Sequence, residues 1–278
     1  MTFWGFRDGS LLVNRAATIA GVPALNPWEI GGIFGAGVVA GAVNTVVGSG
    51  SLLTFPTLLA FGYSPLVANV SNTLGLVPGA ASGAVGYRRE LTGQRTRIRR
   101  LGVISIAGGL LGVGLLLALP SSSFERVVPY LVLVACALVV VQPRLSARMI
   151  RQAALRPPRE RPHRGLDVGV FLTGIYGGYF GAAQGVILIA LLGIFVDDHV
   201  QRLNALKNVV IAMVNGVAAL LFVFFAPVAY LPAALLAIGS AIGGQIGATV
   251  GRRLAPNLLR LLIVLVGTGV AIKLFVSP

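Results

Sequence analysis

The chain has 278 residues, of which 56% are hydrophobic and 11% charged, with a mean hydropathy of +0.88. Soluble domains carry about 25% charged residues, so this composition excludes a water-soluble particle, and its apolar richness excludes a disordered chain. The formal net charge of +14 does not indicate nucleic acid, because sixteen of the arginines lie in 88–100, 144–164 and 252–260, between apolar runs and without interleaved aromatics. That distribution is the one that orients a multi-pass membrane protein with its basic loops in the cytoplasm.

In chain order, residues 1–29 lack the basic, apolar and small-residue sequence of a removable signal peptide. The stretch from Leu11 to Leu25, interrupted by Asn14, Arg15, Gly21 and Pro23, is expected to lie at the interface, with a ninth span as the alternative. A membrane span needs ~20 apolar residues, so the uncharged run 30–87 must hold several elements, divided by Gly and Pro. These are Ile30–Val47, the break Gly48-Ser49-Gly50-Ser51, a short limb Leu52–Phe61, the turn Gly62-Tyr63-Ser64-Pro65, and a full span Val67–Tyr87. Spans over 101–119 and 124–142 follow. Residues 143–166, with Pro157, Pro158, Pro162 and His163 among arginines, are predicted to be an exposed cytoplasmic linker. Beyond it come Val168–Phe180, the break Gly181-Ala182-Ala183-Gln184-Gly185, Val186–Val196, and spans over Leu203–Phe225, Ala233–Val250 and 258–276. The loops 120–123 and 226–232 carry no Lys or Arg and are expected outside. Cys136, the single cysteine, excludes an intrachain disulfide.

The chain repeats itself. Gly41-Ala-Val-Asn44-Thr45-Val-Val-Gly48 aligns with Gly174-Ile-Tyr176-Gly177-Gly178-Tyr-Phe-Gly181, and Asn69-Val-Ser71-Asn72-Thr73 aligns with Asn204-Ala-Leu206-Lys207-Asn208. Each half contains a glycine-broken hairpin and three spans, an odd number of elements, so the second half starts on the opposite face. The predicted fold is therefore an all-α polytopic membrane protein of two inverted-topology repeats, 30–142 and 167–278, flanking the 143–166 linker. Inverted repeats with broken helices at matched places point to a secondary transporter whose site lies at the repeat interface.

The segment GAVNTVVGSGSLLTFPTLLAFGYSPLVANVSNTLGLVPGAASGAVGY (Gly41–Tyr87) resembles the first repeat of the TauE/SafE family of sulfite and organosulfonate exporters. The shared features are glycines around a polar break, Pro56, Gly62 with Pro65, then Ala68 and a Ser/Asn/Thr cluster. GIYGGYFGAAQGVILIALLGIFV (Gly174–Val196) is similar to the family's second hairpin, departing from it in a lone Gly185 preceded by Gln184. The resemblance covers 30–276 and implies export of a small sulfur-containing anion, such as sulfite, sulfoacetate or sulfolactate, across a bacterial inner membrane.

An anion in a low-dielectric setting is served by helix N-terminal amides. The predicted substrate-binding set is Ser49, Gly50 and Ser51 at the first break and Gln184 and Gly185 at the second, with the Ala183–Gly185 amides. Asn44 and Tyr176 stand one turn ahead of the breaks, and the aligned pairs are Asn72/Thr73 and Lys207/Asn208. Alternatives stay open at this level: Asn44 and Tyr176 equally suit helix–helix glue, and Lys207 either meets anions or snorkels to headgroups. Asn215 continues the Lys207 face.

No Asp or Glu occurs in 30–87, 101–124 or 168–196. That speaks against a cation pump and against an intramembrane enzyme, which needs acid–base residues. The expectation is a non-enzymatic carrier without catalytic residues, metal or cofactor. Its partners are a small anion and membrane lipid, not nucleic acid; an anion channel is the alternative.

Overall fold

A computed structural model describes residues 25–153 and 164–250, with individual positions between 261 and 274. Residues 1–24, 154–163 and 251–260 lie outside it, and with them most of the expected interfacial segment, the proline-rich part of the linker with His163, Arg252, Arg253 and Arg260, and much of the last expected span. Among the described residues all regular structure is helical: α1 (Pro27–Val46), α2 (Ser51–Ala60), α3 (Pro65–Gly86), α4 (Arg95–Ala118), α5 (Ser121–Ala153), α6 (Arg164–Tyr179), α7 (Gln184–Phe195), α8 (Val200–Phe225) and α9 (Tyr230–Val250).

Local chemistry sets the starts. Asn26 and Glu29 form a reciprocal capping box ahead of α1, with the Asn26 amide donating to the Glu29 carboxylate at 2.9 Å and Pro27 at the first helical position. Pro65 opens α3 in the same way. Five helices among the described residues are long and apolar enough to cross a membrane: α1, α4, the Ser121–Arg144 part of α5, α8 and α9. The segment expected as a full span over 67–87 has the length, 22 residues, but is not one of these five. Its Asn69, Ser71, Asn72 and Thr73 lower the hydropathy, and all four are buried against protein rather than lipid. The short limbs α2 and α7, with 10 and 12 residues, extend ~15 and ~18 Å at 1.5 Å per residue. Each therefore reaches about halfway through a ~30 Å hydrocarbon core.

The arginine-rich segments are more helical than their charge suggests. α4 begins at Arg95, not near 101, and α5 continues through nearly half of the expected linker to Ala153. Arginine is a good helix former, and charge marks where hydrocarbon ends rather than where a helix does. Three ion pairs exploit this. Arg97 and Arg202 bind Asp198 at 2.6 and 2.8 Å, and Arg100 binds Asp167, so the basic start of α4 is tied to the starts of α6 and α8.

The packing cuts across the division expected at 143–166. α1 lies against α9, where a Cβ on Gly41 would overlap the Ser240 backbone and one on Gly37 would touch Leu236. α9 also packs on α3, with the Ser240 hydroxyl donating to the Gly75 carbonyl at 2.6 Å. α6 lies against α4 through Gly174, Gly178, Gly108 and Gly112, and α4 meets α8 at Gly102–Met213 and Gly109–Val214. Two groups thus emerge, α1, α2, α3 and α9 in one and α4, α6, α7 and α8 in the other, joined along a broad α3–α8 face. Small residues drive this because apolar helices in lipid gain by close backbone contact, not by hiding from solvent.

Two outcomes are expected. Gly178→Ala places a methyl on the Gly109 backbone and should cost about 1–3 kcal/mol, whereas Gly114→Ala enters open space and should be neutral or slightly stabilising; melting in detergent distinguishes them. Burial opposes ionisation of Asp198, but hydrogen bonds from Arg97, Arg202 and the His199 amide outweigh it and hold its carboxyl below the usual range. Its stabilisation is complete above about pH 4, the unfolded value, and is lost as pH falls through the lower folded value. Asp198→Asn should therefore flatten the acid limb of stability against pH.

Candidate functional site

The chain breaks twice inside the helical body, and the two breaks touch. Gly48 takes φ +89° as α1 ends, a left-handed conformation suited to glycine. At the second break the Gly185 amide donates to the Gly48 carbonyl at 3.1 Å. A Cβ on either glycine would strike the other's backbone, so both must be glycine for this approach. Gly181 and Ala183 also have positive φ, 74° and 56°. Ala183 is an alanine held in a conformation that disfavours a side chain.

Beside this crossing lies a small, narrow polar cleft. Of the residues predicted from sequence, Asn44, Ser51, Asn72, Thr73, Gln184 and Gly185 line it, drawn from α1, α2, α3 and α7. Leu76, Phe180, Gly181, Ile211 and Asn215 complete the lining. Four of the lining side chains are amides, two are hydroxyls and none is charged. The Thr54 hydroxyl donates to Asn72 Oδ1, which orients that amide and leaves its NH2 as the free donor. Gln184 is anchored by a 3.4 Å bond from Nε2 to the Thr173 carbonyl, and its buried Oε1 has no partner. Helix starts leave their first amides without intrahelical acceptors, so Gly50 and Ser51 present N–H groups at the start of α2. At α7 the expected amides are partly engaged: that of Gln184 donates to Gly181 O and that of Gly185 to Gly48 O.

The remaining predicted residues sit outside the cleft lining. Ser49 is fully buried, its hydroxyl unpartnered, and Gly50 packs on the Ala40 backbone. Tyr176 donates to the Ala182 carbonyl at 2.6 Å, which spans the second break, and its ring joins Phe180, Phe55 and Phe124 in an aromatic cluster. Lys207 does not snorkel. It is 0% exposed, with Nζ donating at 3.2 Å to both Asn44 O and Thr45 O, the last carbonyls of α1. Asn204 and Asn208 donate to the same Thr45 carbonyl at 3.1 and 3.3 Å. The i, i+3, i+4 spacing of these three residues puts them on one face of α8.

Sequence reasoning passed over two further donors. Gln142, the last polar residue of the apolar part of α5, donates to Val47 O at 3.0 Å, and Asn69 donates to Tyr179 O, the end of α6, at 3.1 Å. The signal was faint for Gln142, a single amide at the end of an apolar run, whereas Asn69 stood in the aligned polar cluster without a role until the end of α6 was seen beside it.

A body of apolar helices built around two re-entrant breaks, with a charge-free polar cleft where they cross, defines a multi-pass membrane protein. The family model described as sulfite exporter TauE/SafE matches residues 33–274, and the chain belongs to that family. It is similar to the probable membrane transporter protein YfcA of Escherichia coli (strain K12), 26% identical over 264 residues that cover 90% of this chain and 91% of the relative. It is also similar to the probable membrane transporter protein ORF9 of Sinorhizobium sp, 25% identical over 253 residues, 88% and 92% of the two chains. A probable membrane transporter protein of Haemophilus influenzae is 27% identical over 189 residues, 63% of this chain and 69% of the relative. No solved structure matches the chain. Family and relatives make this protein a membrane transporter.

Because Gly185 and Gly48 meet backbone to backbone, Gly185→Ala should separate the breaks. The expected result is a lower melting temperature, by the equivalent of about 1–3 kcal/mol, with loss of transport in reconstituted vesicles. The nearby Gly216→Ala, which meets nothing within 4 Å, should change neither.

Proposed function

We propose that the protein is a secondary carrier that exports a small sulfur-containing anion, sulfite or a short organosulfonate such as sulfoacetate or sulfolactate, across a bacterial inner membrane. The observation that carries this reading is the cleft at the crossing of the breaks. It offers amide and hydroxyl donors from Asn44, Ser51, Asn72 and Gln184, and no carboxylate. Oxyanions are held by such donors, and polar breaks within hydrocarbon are tolerated where they line a cavity. Family membership supports the substrate class.

The mechanism we propose is alternating access between inverted repeats. Its support is an exchange symmetry. At offsets of 133–135, α1 corresponds to α6, α3 to α8 and α4 to α9. Gly41 on α1 meets Ser240 on α9 as Gly174 on α6 meets Ser105 on α4. Asn69 caps the end of α6 as Asn204 caps the end of α1. The moving units are then not the sequence halves but the two bodies defined by packing, each borrowing one helix from the other half. The three ion pairs all fall within the α4, α6 and α8 body and leave the interface free to move. The basic segments are on the cytoplasmic side in this reading.

Saturable sulfite or sulfonate uptake that is stimulated by counterflow in proteoliposomes is the expected result. Absence of binding and flux for all these anions would overturn the substrate reading, and flux without counterflow would indicate a channel. Asn72→Ala removes a hydrogen bond to a charged ligand, worth ~1.5–3 kcal/mol, and should weaken apparent affinity by about 10–150-fold. Arg95→Cys in a cysteine-free background should be labelled only from the cytoplasmic side.

A further inference from the structure

Lys207 is a fully buried lysine with no carboxylate partner among the described residues. None of the ion pairs among the described residues includes it, and its two acceptors are main-chain carbonyls at the end of α1, where the helix dipole is negative. The Thr45 carbonyl has two lone pairs and receives three donors, from Lys207, Asn204 and Asn208, so it is a strongly polarised acceptor. One ammonium hydrogen is left over, with no acceptor among the described residues. A set of broken-helix carbonyls at mid-membrane is what secondary carriers use to coordinate a coupling cation. Here that place is filled from α8. The corresponding position in the first half is Asn72, and the end of α6 is met by Asn69, so among the described residues one such lysine is present, on one side only.

On the reading of the chain as an anion carrier, we propose that Lys207 is a tethered cation that occupies a monovalent-cation site made of the Asn44 and Thr45 carbonyls. The carrier then needs no free Na+ or K+ at this place. Its fixed charge lies one residue behind the cleft, where Asn44 turns its carbonyl to the ammonium and contributes to the lining. The ammonium offsets one negative charge of the bound anion without contacting it from the cleft. Lys207 is in this sense a positioning residue, and Asn44 the link through which it acts.

Truncating Lys207 to alanine removes the equivalent of n-propylammonium and leaves the carbonyls facing an empty channel of that shape. The test uses the full-length protein in detergent and in proteoliposomes. Wild-type melting temperature and transport are expected to be the same in sodium, potassium and choline salts. Lys207→Ala should melt several degrees lower and recover most of that loss with n-propylammonium, but not with 1-propanol, which has the same shape without charge. Lys207→Met, which fills the space without charge, should be destabilised and unresponsive to the amine. A sodium or potassium requirement in the wild type would overturn the proposal. So would a methionine variant as stable as the wild type, or an alanine variant rescued equally by the alcohol. If neither variant can be purified, the wild-type salt comparison still decides. If the wild type moves no sulfur anion, the carrier reading fails while the melting experiments still judge the cation site.

Discussion

A helix that stops in the middle of a membrane leaves carbonyls that no water can reach, and the rest of this structure is arranged to answer them. The end of α1 exposes the carbonyls of Asn44, Thr45, Val47 and Gly48. They are met by Lys207, by Asn204 and Asn208, by Gln142 and by the Gly185 amide. The donors come from α8, α5 and the start of α7, so satisfying one broken end fixes three other elements around it. An unmet polar group in hydrocarbon costs several kcal/mol, whereas each interhelical hydrogen bond gains only ~0.6 kcal/mol on average. The arrangement is held less by what these bonds contribute than by what their absence would cost.

The two breaks solve the same problem with different materials. The first is surrounded by amides and an ammonium. The second has its Tyr179 carbonyl met by Asn69, its Ala182 carbonyl by the Tyr176 hydroxyl, and its flank packed by Phe55, Phe124 and Phe180, with Phe55 and Phe180 edge to face at 5.3 Å. One side of the crossing is therefore electropositive and the other aromatic and nearly neutral. On the proposed anion-carrier reading, an anion at the cleft meets an uneven environment.

Glycine makes the crossing possible and also joins the two bodies' borrowed helices to their hosts. Gly41, Gly243 and Gly244 let α1, α3 and α9 touch along their backbones, and Gly108, Gly112 and Gly178 do the same for α4 and α6. Contacts of this kind lock helices together within a body. The junction between bodies is the broad α3–α8 face together with the polar bonds at the breaks and the Gly48–Gly185 touch.

The sequence by itself determined that the chain is a helical membrane protein, and that two short limbs start from glycine-rich breaks, because hydropathy, charge and glycine act locally and need no knowledge of neighbours. The alignment of Asn69, Asn72 and Thr73 with Asn204, Lys207 and Asn208 already marked the polar faces of α3 and α8. What those residues do was decided only by tertiary structure. Lys207 near the start of its span suits snorkelling as well as burial, and the choice fell to burial because the open end of α1 arrives beside it. Tyr176 turned to its own break, since the Ala182 carbonyl lay within reach, and Asn215 joined the cleft because α8 passes it at mid-depth. The exchange of α4 and α9 between halves left no local trace either. It depends on which glycine faces meet which backbones, a property of pairs of helices far apart in the chain.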